Sequence, residues 1–111
     1  MSQTTALLLT LAIEIPISVG LVAACRWAPG ASLRIAAVAL GATLITHPLL
    51  WMATDFLGTW PRLFLAEGAI ALVEGVVFAV AGGLGLGRGL LVSAIANAVS
   101  FGAGLLIHAW T

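Results

Sequence analysis

The sequence predicts an all-α integral membrane protein whose four transmembrane helices form one bundle. Of its 111 residues, 62% are hydrophobic and only 7% are charged, and the mean hydropathy is +1.22. Soluble domains carry about 25% charged residues. Charged residues, prolines and glycines divide the chain into four apolar segments, each about the 20 residues that a helix needs to cross ~30 Å of hydrocarbon. We predict a single transmembrane domain over 1–111 with approximate spans 5–25, 33–53, 63–83 and 90–110.

The first two predicted helices each combine an ionisable residue with a proline. The first starts after a polar N-terminus that lacks the positive charge of a secretory signal, so we expect it to be retained. It carries Glu14 near its centre, followed by Pro16, and the second helix carries His47 directly before Pro48. A proline inside a helix removes one backbone hydrogen bond and loosens the turn before it. Freed carbonyl groups beside an ionisable side chain are typical of cation sites in transporters.

The last two predicted helices carry the remaining polar groups of the apolar segments. The third helix holds Glu67 and Glu74, whose spacing of seven residues places them on one face. The glycine-rich stretch 82–89 follows a helix rather than a strand and lacks the Lys-Ser/Thr of a phosphate-binding loop, which predicts a flexible turn between helices. The fourth helix holds Asn97 near its centre and His108 near its end.

The positions of the arginines predict the orientation of the chain. Arg26, Arg34 and Arg88 lie in or beside the first and third connections, whereas the second connection has only Arg62. The positive-inside rule therefore puts both termini outside, and a bacterial inner membrane is the expected location. Tryptophan rings prefer the interface between lipid and water, and all four tryptophans fall at predicted helix ends: Trp27, Trp51, Trp60 and Trp110.

Two sequence shifts suggest an internal repeat. A shift of 60 residues places Glu14 on Glu74, and a shift of 61 places His47 on His108. Glutamate and histidine are rare in this chain, so these matches carry more information than the many matches of Gly, Ala and Leu. A repeat of this kind predicts two tandem helical hairpins related by a pseudo-two-fold axis along the membrane normal, as in parallel-repeat transporters.

The ionisable residues within the apolar segments predict a site. Counting along each span places Glu14, Glu74 and Asn97 in a layer near the membrane midplane, with His47 and Glu67 displaced towards the outer face. A carboxylate at this depth is costly unless it is protonated, paired or facing water. A group that alternates between these states can exchange a proton for a cation. We therefore predict a small transporter or channel that moves a cation, or a solute coupled to protons, and that acts as a homo-oligomer.

Two other classes of function stay open at this point. One is a noncatalytic accessory or assembly subunit that docks on a larger membrane complex through small-residue helix faces. The other is a membrane protein that binds a metal or haem, for which His47, Glu67 and His108 are the candidate ligands. No cofactor is firmly implied. A single cysteine, Cys25, excludes an internal disulfide, no catalytic constellation is recognisable, and a net charge of zero without lysine gives no support for nucleic-acid binding.

Overall fold

The fold consists of four long helices. The computed structural model describes the backbone of residues 3–27, 29–52 and 60–110 and the side chains of residues 4–27, 29–50 and 61–106. The helices are α1 (Gln3–Cys25), α2 (Ser32–Met52), α3 (Trp60–Val80) and α4 (Leu86–Trp110), and these parts of the chain contain no strand. Each helix includes a stretch long and apolar enough to cross a membrane, with a mean hydropathy between 1.6 and 2.2. The predicted all-α class with four such helices is confirmed.

The connection between α3 and α4 is shorter than predicted. The sequence led us to expect a turn over 82–89, but α3 already ends at Val80 and α4 already begins at Leu86. Gly83 and Gly85 have φ angles of 71° and 83°, in the left-handed region that glycine adopts without steric penalty. The turn is therefore confined to the residues around these two glycines. Gly87 and Gly89 belong to the first turns of α4.

Close packing against α3 explains why α4 has a glycine at position 89. A Cβ atom on Gly89 would lie 2.5 Å from the carbonyl oxygen of Gly75 and 2.7 Å from the amide nitrogen of Ala79. A Cβ atom on Gly75 would lie 2.9 Å from the Cα atom of Leu90. The two helices thus touch backbone to backbone, which small residues permit. A glycine inside a helix costs roughly 0.5–1 kcal/mol relative to alanine, and this contact offsets that cost.

The predicted end of the second helix and the predicted positions of the tryptophans fall partly on residues that are not described. The second helix was predicted to end at Ala53, which lies outside the described residues, as do the side chains of Trp51, Trp60 and Trp110. The backbone assignments nevertheless put Trp51 in the last turn of α2, Trp60 at the start of α3 and Trp110 at the end of α4, while Trp27 follows α1. All four tryptophans lie at helix ends, as predicted.

The helix contacts form a closed ring. Among the described residues, α1 contacts α2 and α4, and α3 contacts the same two helices. Within this part of the chain no backbone contact joins α1 directly to α3, or α2 directly to α4. The first and third helices therefore face each other across the ring, with the second and fourth helices between them. Side chains from α1 and α3 therefore point towards each other across the middle of the ring, where Glu14 and Glu74 line one cavity.

One end of the ring is closed by apolar packing. We call this cluster the apolar seal; it comprises Val22, Ile35, Ala39, Phe78, Leu84 and Val92. At the same end the Arg34 Nε donates a 2.6 Å hydrogen bond to the Ala81 carbonyl oxygen after α3. The Arg88 guanidinium lies 5.5 Å from the centre of the Trp27 ring after α1. The start of α2 is thus bonded to the residue after α3, and the start of α4 contacts a residue after α1. Both contacts join the hairpin α1–α2 to the hairpin α3–α4.

The distribution of polarity is the reverse of that in a soluble protein. Polar and charged side chains make up nearly half of the buried residues described, while many large apolar side chains are exposed. The most exposed of them are Leu8, Leu33, Ile45, Leu65, Val80 and Leu106. Exposed apolar surface on this scale marks a site of interaction with lipid or protein.

We expect Gly89→Ala to destabilise the protein by about 1–3 kcal/mol, because the new methyl group clashes with α3 backbone atoms that cannot rotate away. Gly87→Ala is the matched control, since a Cβ atom there meets nothing within 4 Å. It should leave stability unchanged or raise it by about 0.5–1 kcal/mol. Unfolding in detergent followed by circular dichroism measures both changes, and equal stabilities for the two variants would contradict the backbone contact.

Candidate functional site

Glu14 lies at the centre of α1 and is almost completely buried, with 2% of its surface exposed. Its Oε2 atom accepts a 2.6 Å hydrogen bond from the Thr43 hydroxyl on α2. Its Oε1 atom is hydrogen-bonded to the Ser100 hydroxyl on α4, at 3.0 Å. Both oxygens of this carboxyl group therefore have a partner, and the partners come from the two helices that flank α1.

Glu74 has the same kind of surroundings on the opposite side of the ring. It is 3% exposed. Its Oε1 atom is hydrogen-bonded to the Thr46 hydroxyl on α2, at 2.7 Å, and its Oε2 atom accepts a 3.1 Å hydrogen bond from Asn97 Nδ2 on α4. The prediction that Glu74 lies at the centre of its helix needs correction. Because α3 begins at Trp60, Glu74 lies about 6 Å beyond the helix centre, at 1.5 Å per residue. It still lies in the polar layer, where α2 and α4 supply its hydrogen-bond partners.

Ser93 determines which way the Asn97 amide points. The Asn97 Nδ2 atom lies 2.9 Å from the Ser93 carbonyl oxygen and 3.2 Å from the Ser93 hydroxyl oxygen. The Ser93 hydroxyl in turn donates a 2.6 Å hydrogen bond to the Ala71 carbonyl oxygen on α3. Because a carbonyl oxygen only accepts hydrogen bonds, the amide group must direct its NH₂ towards Ser93 and Glu74. Asn97 is therefore a hydrogen-bond donor to Glu74.

The two carboxyl groups have matching partners. On α2 the donors are Thr43 and Thr46, and on α4 they are Asn97 and Ser100, in both cases three residues apart. Thr43 and Asn97 are 54 positions apart in the sequence, as are Thr46 and Ser100, and also Arg34 and Arg88. The two glutamates are 60 positions apart.

This offset of 54 residues between α2 and α4 differs from the offset of 61 residues that the sequence predicted for the second helix of each hairpin. The sequence shift of 61 pairs His47 with His108, whose side chain lies outside the described residues. The hydrogen bonds instead place Phe101 at the position that corresponds to His47. The two registers differ by seven residues, about two helical turns, and so present the same helix face. Sequence matching alone does not distinguish them.

A cavity of about 340 Å³ extends from this polar layer towards the end of the ring that holds the N-terminus and the start of α3. Its lining comes from residues 6–14 of α1, 43–50 of α2, 67–74 of α3 and 97–105 of α4. Glu14, Thr43, Glu74 and Asn97 are the lining residues closest to the apolar seal, so they form the inner end of the cavity. Its walls are largely apolar and include Leu9, Leu50, Ile70, Phe101 and Leu105.

The charges along the cavity are acidic. The predicted outer residues His47 and Glu67 both line it and are half-buried, so all five predicted binding residues share one cavity. No arginine is among the lining residues described, and Arg34 and Arg88 lie at the other end of the ring. Three carboxyl groups, with no guanidinium group among the described lining residues, favour cations over anions whenever they are ionised.

The hydroxyl partners were only partly predicted from the sequence. Thr43 and Ser100 fall on polar stripes that are visible in the sequence, but Thr46 was not among the expected site residues. Its signal is the spacing of three residues from Thr43, which places both hydroxyls on one helix face. Because threonine hydroxyls often bond to their own helix backbone, this spacing does not by itself indicate a site.

The predicted metal or haem site is only partly described. His47 and Glu67 line the same cavity, but the side chain of His108, the third candidate ligand, is not described. Within the described residues no group of three or more His, Cys, Asp or Glu side chains is placed to hold a metal ion. Comparison with known proteins found no matching family model, no similar curated protein and no similar solved structure.

We expect Thr46→Val to destabilise the protein by about 1–3 kcal/mol, because it leaves a buried Glu74 oxygen without its partner. The same substitution in a Glu74→Leu background should cost less, since the hydrogen bond is already absent there. Unfolding of the four proteins of this cycle in detergent measures the coupling between the two side chains. Additive effects would show that the hydrogen bond does not contribute to stability.

Proposed function

We propose that the chain is a four-helix transmembrane bundle that carries a cation, or a solute coupled to protons, through its acidic cavity. The apolar outer surface and the polar interior support insertion in lipid, because lipid solvates the exposed Leu, Ile and Val side chains while the buried polar groups bond to one another. With Arg26, Arg34 and Arg88 at one end, the positive-inside rule puts that end in the cytoplasm. The termini and the cavity then face the outside of a bacterial inner membrane.

The observation that carries the proposal is the meeting of Glu14 and Glu74 at the inner end of one cavity. Buried carboxyl groups that only join helices need no adjoining cavity, whereas a transport site needs access for its ligand. Glu14 and Glu74 would be the titrating pair, with Asn97 as a neutral ligand. His47 and Glu67 lie along the route towards the cavity entrance and would act as a gate or relay.

The similarity of the hairpins α1–α2 and α3–α4 provides a basis for alternating access, in which the site opens to each side of the membrane in turn. The equivalent hydrogen bonds of Glu14 and Glu74, and the equivalent positions of Arg34 and Arg88, support a pseudo-two-fold relation between α1–α2 and α3–α4. Transporters built from repeats expose a central site to each side in turn by rocking one repeat against the other. In this protein such a motion must separate the side chains of the apolar seal. The arginine contacts across the hairpins would have to break and form with it.

We expect Glu14→Gln and Glu74→Gln each to lower pH-coupled flux at least tenfold, because glutamine cannot release a proton. Proteoliposomes with a trapped pH-sensitive dye would be diluted into NaCl, KCl or tetramethylammonium chloride, and the change in internal pH recorded. Asp55→Asn removes the fourth carboxylate, which lies in the second connection of the sequence, and should leave the flux unchanged. Unchanged flux in both glutamine variants would remove the assigned role.

A cavity-filling variant tests whether the ligand passes through the cavity. Gly104 lines the cavity and a Cβ atom there meets nothing within 4 Å, so Gly104→Leu should fill the space without a clash at Cβ. We expect a loss of flux of at least tenfold with little change in stability. Gly102→Leu is the matched control on the same helix, because Gly102 is equally free of neighbours but is not part of the lining. Equal effects of both variants would argue against passage through the cavity.

The runner-up function predicts a different result. An accessory or assembly subunit would show no flux in any of these salts and would copurify with a larger membrane complex. The Glu14 and Glu74 network would then serve only to hold the four helices together, with each hydrogen bond contributing about 1 kcal/mol.

A further inference from the structure

We propose that Glu14 and Glu74 each carry a proton in this conformation, so that the inner end of the cavity is electrically neutral and loaded with two protons. The proposal concerns the state of the polar layer and follows from its charges and its hydrogen bonds. Only its consequence for transport rests on the proposed function.

The first argument is the lack of a compensating charge. The titratable groups that line the cavity are Glu14 from α1, His47 from α2, and Glu67 and Glu74 from α3, and the described lining from α4 contains none. Glu14 and Glu74 are 2% and 3% exposed. Two ionised carboxylates in such a site would have no arginine or lysine among the described lining residues to pair with, and they would repel each other. A buried unpaired charge is strongly unfavourable and is normally neutralised by a proton.

The second argument is that the hydroxyl partners can accept hydrogen bonds from protonated carboxyl groups. A hydroxyl group has one hydrogen to donate and can accept further hydrogen bonds through its oxygen. The Thr46 hydroxyl lies 3.0 Å from the Ala42 carbonyl oxygen as well as 2.7 Å from Glu74. The Ser100 hydroxyl lies 3.2 Å from the Asn97 carbonyl oxygen as well as 3.0 Å from Glu14. A backbone carbonyl cannot donate, so each hydroxyl can direct its hydrogen there.

Protonation then satisfies the whole layer. The Thr46 hydroxyl donates to the Ala42 carbonyl and accepts from a protonated Oε1 of Glu74, whose Oε2 accepts from the Asn97 amide. In the same way, the Ser100 hydroxyl donates to the Asn97 carbonyl and accepts from a protonated Oε1 of Glu14. The second oxygen of Glu14 accepts from Thr43. Each of the four carboxyl oxygens has one partner, and the single hydroxyl hydrogens of Thr46 and Ser100 are each used once.

The arrangement also accommodates loss of the protons. When a cation enters the cavity, Thr46 and Ser100 can rotate their hydrogens towards the carboxylates, because the two backbone carbonyls still hold their helix hydrogen bonds. Two protons then leave and two positive charges replace them, so the charge of the site is conserved. Under the proposed function, one transport cycle therefore exchanges two protons for one doubly charged cation or for two singly charged ones.

Infrared spectroscopy of the full chain in lipid nanodiscs tests the protonation state directly. A protonated carboxyl group has a C=O stretching band that shifts on transfer to deuterated water and is separate from the carboxylate bands. At pH 7 we expect Glu14→Gln and Glu74→Gln each to remove the band area of one protonated carboxyl group. Asp55→Asn should remove none. Thr46→Val retains both carboxyl groups, so it should shift the Glu74 band and leave the Glu14 band in place.

The outcomes separate this inference from the proposed function. If either glutamine variant keeps the full protonated band and loses carboxylate absorption instead, the inference is overturned, whatever the flux assay gives. If both bands are present but the proteoliposomes show no pH-coupled flux, the inference stands and the transport proposal fails. If flux is present and the bands are absent, transport stands without a two-proton resting state.

Discussion

Burial of two carboxyl groups inside an apolar chain is the constraint on which the rest of the structure depends. Neither Glu14 nor Glu74 has a counter-ion among the described cavity-lining residues, so each relies on hydrogen bonds from neighbouring helices. Those partners must come from both flanking helices, because each carboxyl group has two oxygens pointing to different neighbours. The polar layer therefore requires all four helices in a fixed order around the ring. A helix displaced by one residue would move its hydroxyl or amide group off the carboxyl group.

The two halves of the molecule perform different tasks around this layer. Towards the connections within each hairpin, apolar side chains and the glycine contact between α3 and α4 pack tightly and exclude water. Towards the termini the same four helices leave a cavity lined by acidic and apolar groups. The glutamates lie where these halves meet.

The equivalence of the two hairpins extends from the polar layer to the arginine contacts. The odd-numbered helices provide carboxyl groups, the even-numbered helices provide donors, and an arginine at the start of each even-numbered helix reaches the other hairpin. The same spacing of three residues is filled by two hydroxyl groups on α2, Thr43 and Thr46, and by an amide and a hydroxyl group on α4, Asn97 and Ser100.

Composition and residue spacing alone determined the class of the protein and the identity of its central acidic residues. Apolar segments of about 20 residues require helices, and carboxyl groups within them stand out because they are costly at that depth. The helix register of the hairpins, the donor role of Thr46 and the early start of α4 depended on the tertiary structure. Register is undetermined in sequence because a shift of seven residues retains the same helix face. Gly87 and Gly89 predict a turn by intrinsic preference, and only the tertiary structure shows that they lie in α4, where the α3 backbone approaches Gly89 too closely for a side chain.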